Sequence, residues 1–294
     1  ELRLEAGQQA VKTGALAPEN LAEIYGRVAF TEEEFSNALV LAGGGLGARG
    51  EALVFQAARR SSTPADREKL LNAALELSER NGAKLAGIMP NSGILSSLEP
   101  STQDLDFVKL VVRALLVAGD IEQAKAWYEA LRIRADADGS ELGAASALLE
   151  LWPLLQVSGA GDSVPWSHNI LELWWQSQLI ETRAERARKG QLLYAILEAF
   201  DQPIEKAQWD IVSDGAVAEV VSMPPLVYWR GMIQAAQSGL VGETVLLAIA
   251  VIGDSDVASI NPAVLSNVLR ALRVIGLDRE ARALALEAAI LGGI

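Results

Sequence analysis

The chain has 294 residues and no Cys, and its 38 Asp and Glu against 25 Lys and Arg give a net charge of −13. This acidic balance, with no concentrated run of Lys or Arg, excludes the phosphate neutralisation that nucleic-acid binding needs and disfavours an anionic membrane surface. A chain without Cys has no disulfide, no thiol nucleophile and no thiolate metal site. Half of the residues are apolar but only 5% are aromatic, which favours close-packed helices rich in Ala, Leu, Val and Ile.

The first predicted element is a helix that begins at Glu32. Thr31 and Glu34 have the spacing of a capping box, and Phe30 and Phe35 have the spacing of a hydrophobic staple. The apolar face of this helix is predicted to consist of Phe35, Ala38, Leu39 and Ala42. Three glycines at positions 43 to 45 then end it.

The glycines continue into GLGARG at residues 45 to 50, which has the G-x-G-x-x-G spacing of a dinucleotide site. A dinucleotide-binding unit also needs a second strand that ends in an acidic residue about 20 residues later. At that point Thr63 and Pro64 instead have the pattern of an N-cap and the first residue of a helix. We therefore interpret the glycines as a loop between two helices.

Two pairs of helices joined by tight turns are predicted further along the chain. The first pair follows Pro100, begins with the capping pattern at Ser101, and turns at Gly119 and Asp120. The buried face of its second helix is predicted to be Ile121, Ala124, Tyr128 and Leu131. In the last pair, Pro262 begins one helix, Gly276 ends it and Asp278 caps the next.

Other stretches also read as helical, namely residues 139 to 157, 165 to 200, 223 to 238 and 242 to 252, and no convincing alternating strand is found. Pro153 is expected to kink the first of these. A Ser, Gly, Asp and Pro stretch at residues 157 to 165 is the best candidate for a joint. We expect two helical sub-arrays, 1–157 and 165–294, or one continuous domain.

Residues 118 to 131, AGDIEQAKAWYEAL, resemble the turn and second helix of a tetratricopeptide repeat, in which a Gly-Asp turn, a small Ala and an aromatic residue recur at fixed spacing. Gly119, Ala124 and Tyr128 fall on those positions. Val112 stands where the family favours a small residue, and Leu131 replaces a later Ala. The resemblance implies a degenerate solenoid with no activity carried over.

Two motifs suggest chemistry that the rest of the chain does not support. Gly253-Asp254-Ser255 resembles the nucleophile block of GDSL-type esterases, but the only histidine, His168, lies upstream of it rather than far downstream. The stretch from Asp136 to Gly139 resembles part of a calcium loop, but its first and last ligand positions hold an Arg and an Ala. We interpret both as turns between helices, and predict no cofactor, no metal site and no enzymatic activity.

The most distinctive patch lies between residues 165 and 175, where three indoles and the only imidazole occur close together. The candidate binding residues of this patch are Trp166, His168, Trp174 and Trp175. Adjacent tryptophans point about 100° apart on a helix, so both are core only if the helix is covered on two sides. Otherwise one indole faces a groove, as at many binding hot spots.

No apolar run approaches the roughly 18 residues of a membrane helix, so membrane insertion is not expected. The chain starts at Glu1, which is expected either after removal of a leader or within a longer gene product. Periplasm and cytoplasm are equally compatible with a thiol-free chain.

The sequence predicts an all-α protein, a right-handed superhelical array of stacked antiparallel helix pairs of the α-solenoid, TPR-like kind. By analogy with such arrays, we expect a non-catalytic scaffold that binds a protein or peptide partner. One alternative is a carrier of an apolar small molecule or lipid in a helical cavity. Another is an accessory helical domain of a larger bacterial enzyme or envelope protein.

Overall fold

The computed structural model of the protein describes residues 2–12, 15–17, 20–80, 89–101, 104–137, 142–161, 164–178, 181–213, 223–253 and 257–294. Throughout these residues the regular structure is helical and no strand occurs, which confirms the all-α prediction. The chain divides into two compact units, Glu1–Arg134 and Ala135–Ile294, which we call unit 1 and unit 2. The predicted joint at residues 157 to 165 lies within unit 2, and the division into sub-arrays at that point stays a prediction.

The described residues of unit 1 form eight complete α-helices and the greater part of a ninth. They are α1 (Leu2–Lys12), α2 (Asn20–Gly26), α3 (Glu32–Ser36), α4 (Ala38–Gly43), α5 (Gly47–Arg60), α6 (Pro64–Arg80), α7 (Ser92–Leu95), α8 (Leu105–Val117) and α9 (Ile121–Ala137), with a 3-10 turn at Met89–Asn91 before α7. Helix α5 is the centre of this unit, because α1, α2, α3, α4 and α6 all pack against it.

Unit 2 contains eight described α-helices after the end of α9. They are α10 (Leu142–Ser158), α11 (His168–Ser177), α12 (Arg183–Ala199), α13 (Lys206–Ser213), α14 (Leu226–Gln237), α15 (Val241–Ile252), α16 (Pro262–Val274) and α17 (Asp278–Leu291), with a 3-10 turn at Val257–Ser259. Helix α16 packs against α12, α14, α15 and α17 and so forms the centre of unit 2.

The predicted start of the first sequence element is confirmed in detail. Thr31 Oγ1 accepts a hydrogen bond from the Glu34 backbone, and the Glu34 side chain accepts one from the Thr31 backbone. The rings of Phe30 and Phe35 meet edge to face at 5.8 Å. The single helix predicted from Glu32 is nevertheless two short helices, α3 and α4, which meet at Asn37. The glycine-rich stretch spans the end of α4, a short connection at residues 44 to 46 and the first turn of α5, so it is a loop only in part, and the strand that a dinucleotide site requires is absent there.

A buried polar cluster lies in the core of unit 1. Glu51 on α5 is buried among apolar side chains. Its carboxylate accepts hydrogen bonds from the Tyr25 hydroxyl on α2 at 2.8 Å and from the Gln8 amide on α1 at 2.9 Å. A buried carboxylate is tolerated only where hydrogen-bond donors replace water, so these bonds tie three helices to one another.

Both predicted helix pairs are confirmed as helices joined by tight turns, but two predicted caps are wrong. Asp104 rather than Ser101 is the N-cap of α8, and Asp278 is the first residue of α17, whose N-cap is Leu277. Gly119 and Gly276 have φ values of 77° and 84°, a left-handed conformation that glycine adopts without the steric cost that a side chain would add. Two of the four predicted buried positions of α9, Ile121 and Tyr128, are only partly buried, and the buried aromatic residue is the neighbour of Tyr128. Trp127 is fully buried against Phe107 at 6.1 Å, whereas Tyr128 is only partly buried.

The region predicted to be helical from residue 165 to 200 consists of two helices, α11 and α12. Thr182 caps α12 through a capping box with Glu185, which starts a new helix at Arg183. The Arg186 guanidinium, near the start of α12, lies 4.0 Å from the centre of a Trp175 ring. It also donates a hydrogen bond to the Trp175 carbonyl. The connection between the helices is therefore stabilised by contacts from α12 back to α11.

A close approach between α11, α12 and α13 depends on Gly190. A Cβ atom at this position would lie 2.7 Å from Trp175 Cζ3 and 2.8 Å from Val212 Cγ2, closer than such atoms can approach. Gly190→Ala is therefore expected to destabilise the protein by about 1–3 kcal/mol, since two well-packed side chains must move. Urea denaturation followed by circular dichroism measures the change.

A matched control for this substitution exists in the same unit. Gly242 lies in α15 with open space at its Cβ position, so Gly242→Ala is expected to be neutral or to stabilise by up to about 1 kcal/mol. Equal losses from Gly190→Ala and Gly242→Ala would contradict the packing described for Gly190.

Some sequence motifs fall outside the described residues. Asp254 and Ser255 of the esterase-like motif lie there, as do Asp138 and Gly139 of the calcium-loop-like stretch. The helices predicted at residues 223 to 238 and 242 to 252 are confirmed as α14 and α15. The superhelical arrangement of helix pairs stays a prediction.

Candidate functional site

The sequence-predicted patch begins in the segment that leads into α11. Ser167 is the N-cap of α11, and its hydroxyl accepts a hydrogen bond from the Ile170 backbone at 3.3 Å. This cap fixes the residues on either side, so Trp166 and His168 point toward each other with ring centres 5.5 Å apart. Trp166 also lies 5.5 Å from the ring of Trp152, a fully buried residue of α10.

His168 lies at the exposed edge of this patch and contacts α13 as well. Trp166 Nε1 donates to His168 Nε2 at 3.5 Å, and His168 Nδ1 lies 3.3 Å from Gln208 Nε2. The carboxylate of Glu205 lies 3.8 Å from His168 Nε2 and is mostly exposed. The imidazole therefore joins the loop before α11 to the start of α13.

Trp174 and Trp175 occupy different surroundings from Trp166 and His168. Their exposed fractions are 1% and 5%, so both indoles belong to the core of unit 2. Helix α11 packs against α10, and Trp175 faces Gly190 and Arg186 of α12. The helix is thus covered on two sides, and a partner has no access to these two indoles in this conformation. Trp166 and His168 are the sequence-predicted site residues that keep exposed surface.

The arrangement around His168 offers hydrogen bonding but no recognisable catalytic group. Its contacts are an indole, an amide and a carboxylate, and none of them is a nucleophile held for attack on a bound substrate. In the described part of the chain, no group of three His, Asp or Glu side chains is placed to hold a metal ion. Absence of an enzymatic role stays a prediction, since Asp and Glu catalyse without a sequence motif.

Known proteins do not identify this chain. No family model, no curated protein and no solved structure matches it. The resemblance of residues 118–131 to a tetratricopeptide repeat therefore stays a prediction. The exposed surfaces of the described residues are therefore the basis for a proposed function.

The most unusual surface lies on the α14–α15 hairpin. Of sixteen large apolar side chains that are exposed among the described residues, eight lie between Met223 and Ile249. These eight are Met223, Leu226, Val227, Tyr228, Leu240, Val241, Leu246 and Ile249. We call them the hairpin face. Leu246 and Ile249 are its most exposed members on α15, with exposed fractions of 70% and 61%.

The hairpin face follows from the composition of α15. Residues 245 to 252 are all apolar, so this helix has apolar side chains around its whole circumference. Thr244, Ala248 and Val251 are buried where α15 packs against α14 and α16, and the opposite side stays exposed. Between residues 223 and 253 the only charged residues are Arg230 and Glu243, so the face is nearly free of charge.

The sequence predicts α15 as a helix, but the exposure of its apolar side was not predicted. The signal was present, because a helix that is apolar all round is either buried on all sides or unpartnered on one. Deciding between these requires the neighbours of α15, which the sequence alone does not provide.

Among the described helices, none combines the length and the apolar composition that crossing a membrane needs.

Proposed function

We propose that this protein is a non-catalytic helical-repeat scaffold that binds a protein or peptide partner through the hairpin face. The observation that carries this proposal is the concentration of exposed large apolar side chains on α14 and α15. A concentration of exposed apolar side chains on one hairpin is uncommon on the surfaces of soluble monomers and is typical of interaction sites. The stacked antiparallel helix pairs predicted from the sequence are part of this proposal.

The chemistry of the hairpin face favours a protein or peptide over a polar ligand. With Arg230 and Glu243 as its only charges, it has little to attract a nucleic acid or a phosphorylated metabolite. Apolar side chains that pack on Leu246 and Ile249 would remove both from water, which is the dominant favourable term in most protein association. Tyr228 adds an aromatic ring, a residue type that is enriched at binding hot spots.

The proposal predicts a specific effect of polar substitutions on the hairpin face. The double variant Leu246→Gln, Ile249→Gln is expected to lose about 2–4 kcal/mol of partner binding, which is about 30-fold or more in affinity, if both side chains are hot spots. Affinity capture from the native host followed by quantitative mass spectrometry measures this loss. Folding should be unaffected, since both side chains are exposed.

Ile133→Gln is the matched control, because Ile133 is an equally exposed isoleucine on α9 at 58% and lies in unit 1. The Ile133→Gln variant should still capture the partners that bind the hairpin face. If the double variant and Ile133→Gln capture the same proteins as the unaltered chain, the proposed role of the hairpin face is wrong.

The second function expected from the sequence, a carrier of an apolar small molecule, is favoured by a separate feature, a cleft in unit 1 beside α5 and α6. The third, an accessory domain of a larger bacterial enzyme or envelope protein, stays a prediction. No contact among the described residues distinguishes it from a scaffold.

A further inference from the structure

We propose that a cleft in unit 1 binds a small anionic amphiphile, meaning a molecule that joins a carboxylate or phosphate group to an apolar body. The cleft has a volume of 510 Å³ and lies between α5, α6 and the segment from Met89 to Ser97. Small-molecule sites usually occupy about 300–1,000 Å³, so the space suits a ligand of modest size. This site is separate from the hairpin face, and the two proposals stand or fall independently.

The charged groups that line this cleft are both positive. Arg59, near the end of α5, and Arg67, in the second turn of α6, contribute guanidinium groups, and no Asp or Glu occurs among the described lining residues. This is unusual for a chain with a net charge of −13. Two guanidinium groups without an opposing carboxylate favour an anionic ligand, because each offers several N–H donors to oxygen.

Arg59 has no polar partner among the residues that the structure describes. Within the described part of the chain, its guanidinium makes no hydrogen bond or ion pair, and it lies 5.5 Å from the centre of the Phe55 ring. Its neighbour Arg60 differs, since it binds the Glu32 carboxylate at 2.8 Å and lies over the Phe35 ring. Arg59 is therefore free to bind a ligand, whereas Arg60 is already paired.

Arg67 is held in place but has unused donors. Its Nη2 donates to the Ser61 carbonyl at 2.7 Å, which anchors the guanidinium at the turn between α5 and α6. Its Nε is buried and has no hydrogen-bond partner among the described residues. A side chain already fixed by one bond loses little conformational freedom when its remaining N–H groups bind a ligand.

The apolar part of the ligand would lie against a firm wall. Ile94 lines the cleft, is partly buried and packs against the core of unit 1; Phe55, which also lines the cleft, belongs to that core and keeps only 1% of its surface exposed. Because the rest of each side chain is held by the core, the wall does not need to form when the ligand binds.

Isothermal titration calorimetry on the full chain tests this proposal with four probes. Octanoate and octyl phosphate carry both parts of the ligand, 1-octanol lacks the charge, and inorganic phosphate lacks the apolar chain. We expect one of the two anionic amphiphiles to bind, which identifies the anionic group. We expect 1-octanol and inorganic phosphate each to bind about 10-fold more weakly or not at all, since each loses one part of the site.

Substitutions in the cleft are expected to weaken the binding of that amphiphile. Arg59→Gln and Arg67→Gln should each reduce affinity by about 10-fold or more, because each removes charge-assisted hydrogen bonds. Gly93→Leu should abolish binding by filling the cleft, since Gly93 lines it and has open space at its Cβ position. Because Gly93 contacts nothing there, this variant should fold normally, as circular dichroism can verify.

Two control variants match these changes outside the cleft. Arg60→Gln removes the same charge from the same helix end, and Gly43→Leu adds the same side chain at another glycine with open space. Both should leave affinity within about twofold. The proposal is overturned if neither amphiphile binds, if 1-octanol or inorganic phosphate binds as tightly as the amphiphile, or if the control variants weaken binding as much as the cleft variants.

Discussion

Replacing Trp174 by Ala is expected to lower the free energy of unfolding by about 3–5 kcal/mol, among the largest effects of any single substitution in unit 2. Trp174 is only 1% exposed, so removal of its indole would leave a large void in the core of unit 2. Protein interiors are packed too tightly to close such a void fully. Urea denaturation followed by far-ultraviolet circular dichroism measures the loss without relying on tryptophan fluorescence.

Leu173→Ala is the control for this prediction, since Leu173 is the preceding residue on α11 and is exposed. It should cost about 1 kcal/mol or less. A loss for Trp174→Ala as small as that for Leu173→Ala would show that the indole is not part of the core. It would also restore Trp174 as a candidate binding residue.

Replacing Tyr25 by Phe is expected to cost about 1.5–3 kcal/mol at neutral pH, because Glu51 then loses a hydrogen bond to a buried, charged group. Gln8 remains as a donor, so the carboxylate is not left without a partner. Tyr228→Phe is a matched control, since Tyr228 is exposed and its hydroxyl makes no hydrogen bond among the described residues. The control should change stability by less than about 0.5 kcal/mol.

Tyr25 also makes stability depend on alkaline pH. Burial raises the pKa of its hydroxyl well above the ordinary value of about 10, and the neighbouring Glu51 carboxylate acts in the same direction. A group whose pKa is raised by folding keeps its proton in the folded state after the unfolded chain has lost it. Below about pH 10 the Tyr25 hydroxyl therefore does not make the free energy of unfolding depend on pH. Above about pH 10 it makes the free energy of unfolding fall as the pH rises.

The pH dependence distinguishes Tyr25→Phe from a variant that is merely less stable. Between about pH 10 and 12, the free energy of unfolding should fall less steeply in the variant, by up to about 1.4 kcal/mol per pH unit. Some fall remains in both proteins, since burial also raises the pKa of Tyr128 and of Tyr194 to about 12. Parallel curves for the two proteins would contradict the buried position of the Tyr25 hydroxyl.

Local signals in the sequence were sufficient to predict several helices and some of their starts, but not α1, α2, α5 or α7. The capping box of Thr31 and Glu34 and the turn at Gly119 depend on residues within one helical turn, and both were predicted correctly. The break at Asn37 was not predicted, because the apolar spacing continues across it. The choice between Trp127 and Tyr128 as the buried aromatic depends on how α9 is rotated against α8, which no local pattern specifies.

The surfaces that carry the two proposals could not be predicted from local patterns. Arg59 and Arg67 look like ordinary surface arginines until the turn between α5 and α6 brings them to one cleft. From the sequence alone, Glu51 looks like a solvent-exposed residue of α5. In the fold its carboxylate is buried and accepts hydrogen bonds from Gln8 and Tyr25, which lie on two other helices. In each case the decisive contacts join residues distant in the sequence, and their physical basis is the packing of whole helices.

The most direct test of the central claim is site-specific photocrosslinking in cells of the native host, with a photoreactive amino acid at Leu246 in one protein and at Ile133 in another. Both positions are exposed and apolar, and only the first belongs to the hairpin face. We expect Leu246 to give a discrete crosslinked protein or peptide that Ile133 does not give. No crosslinked product at Leu246, or the same products from both positions, would contradict the claim that the hairpin face binds a partner.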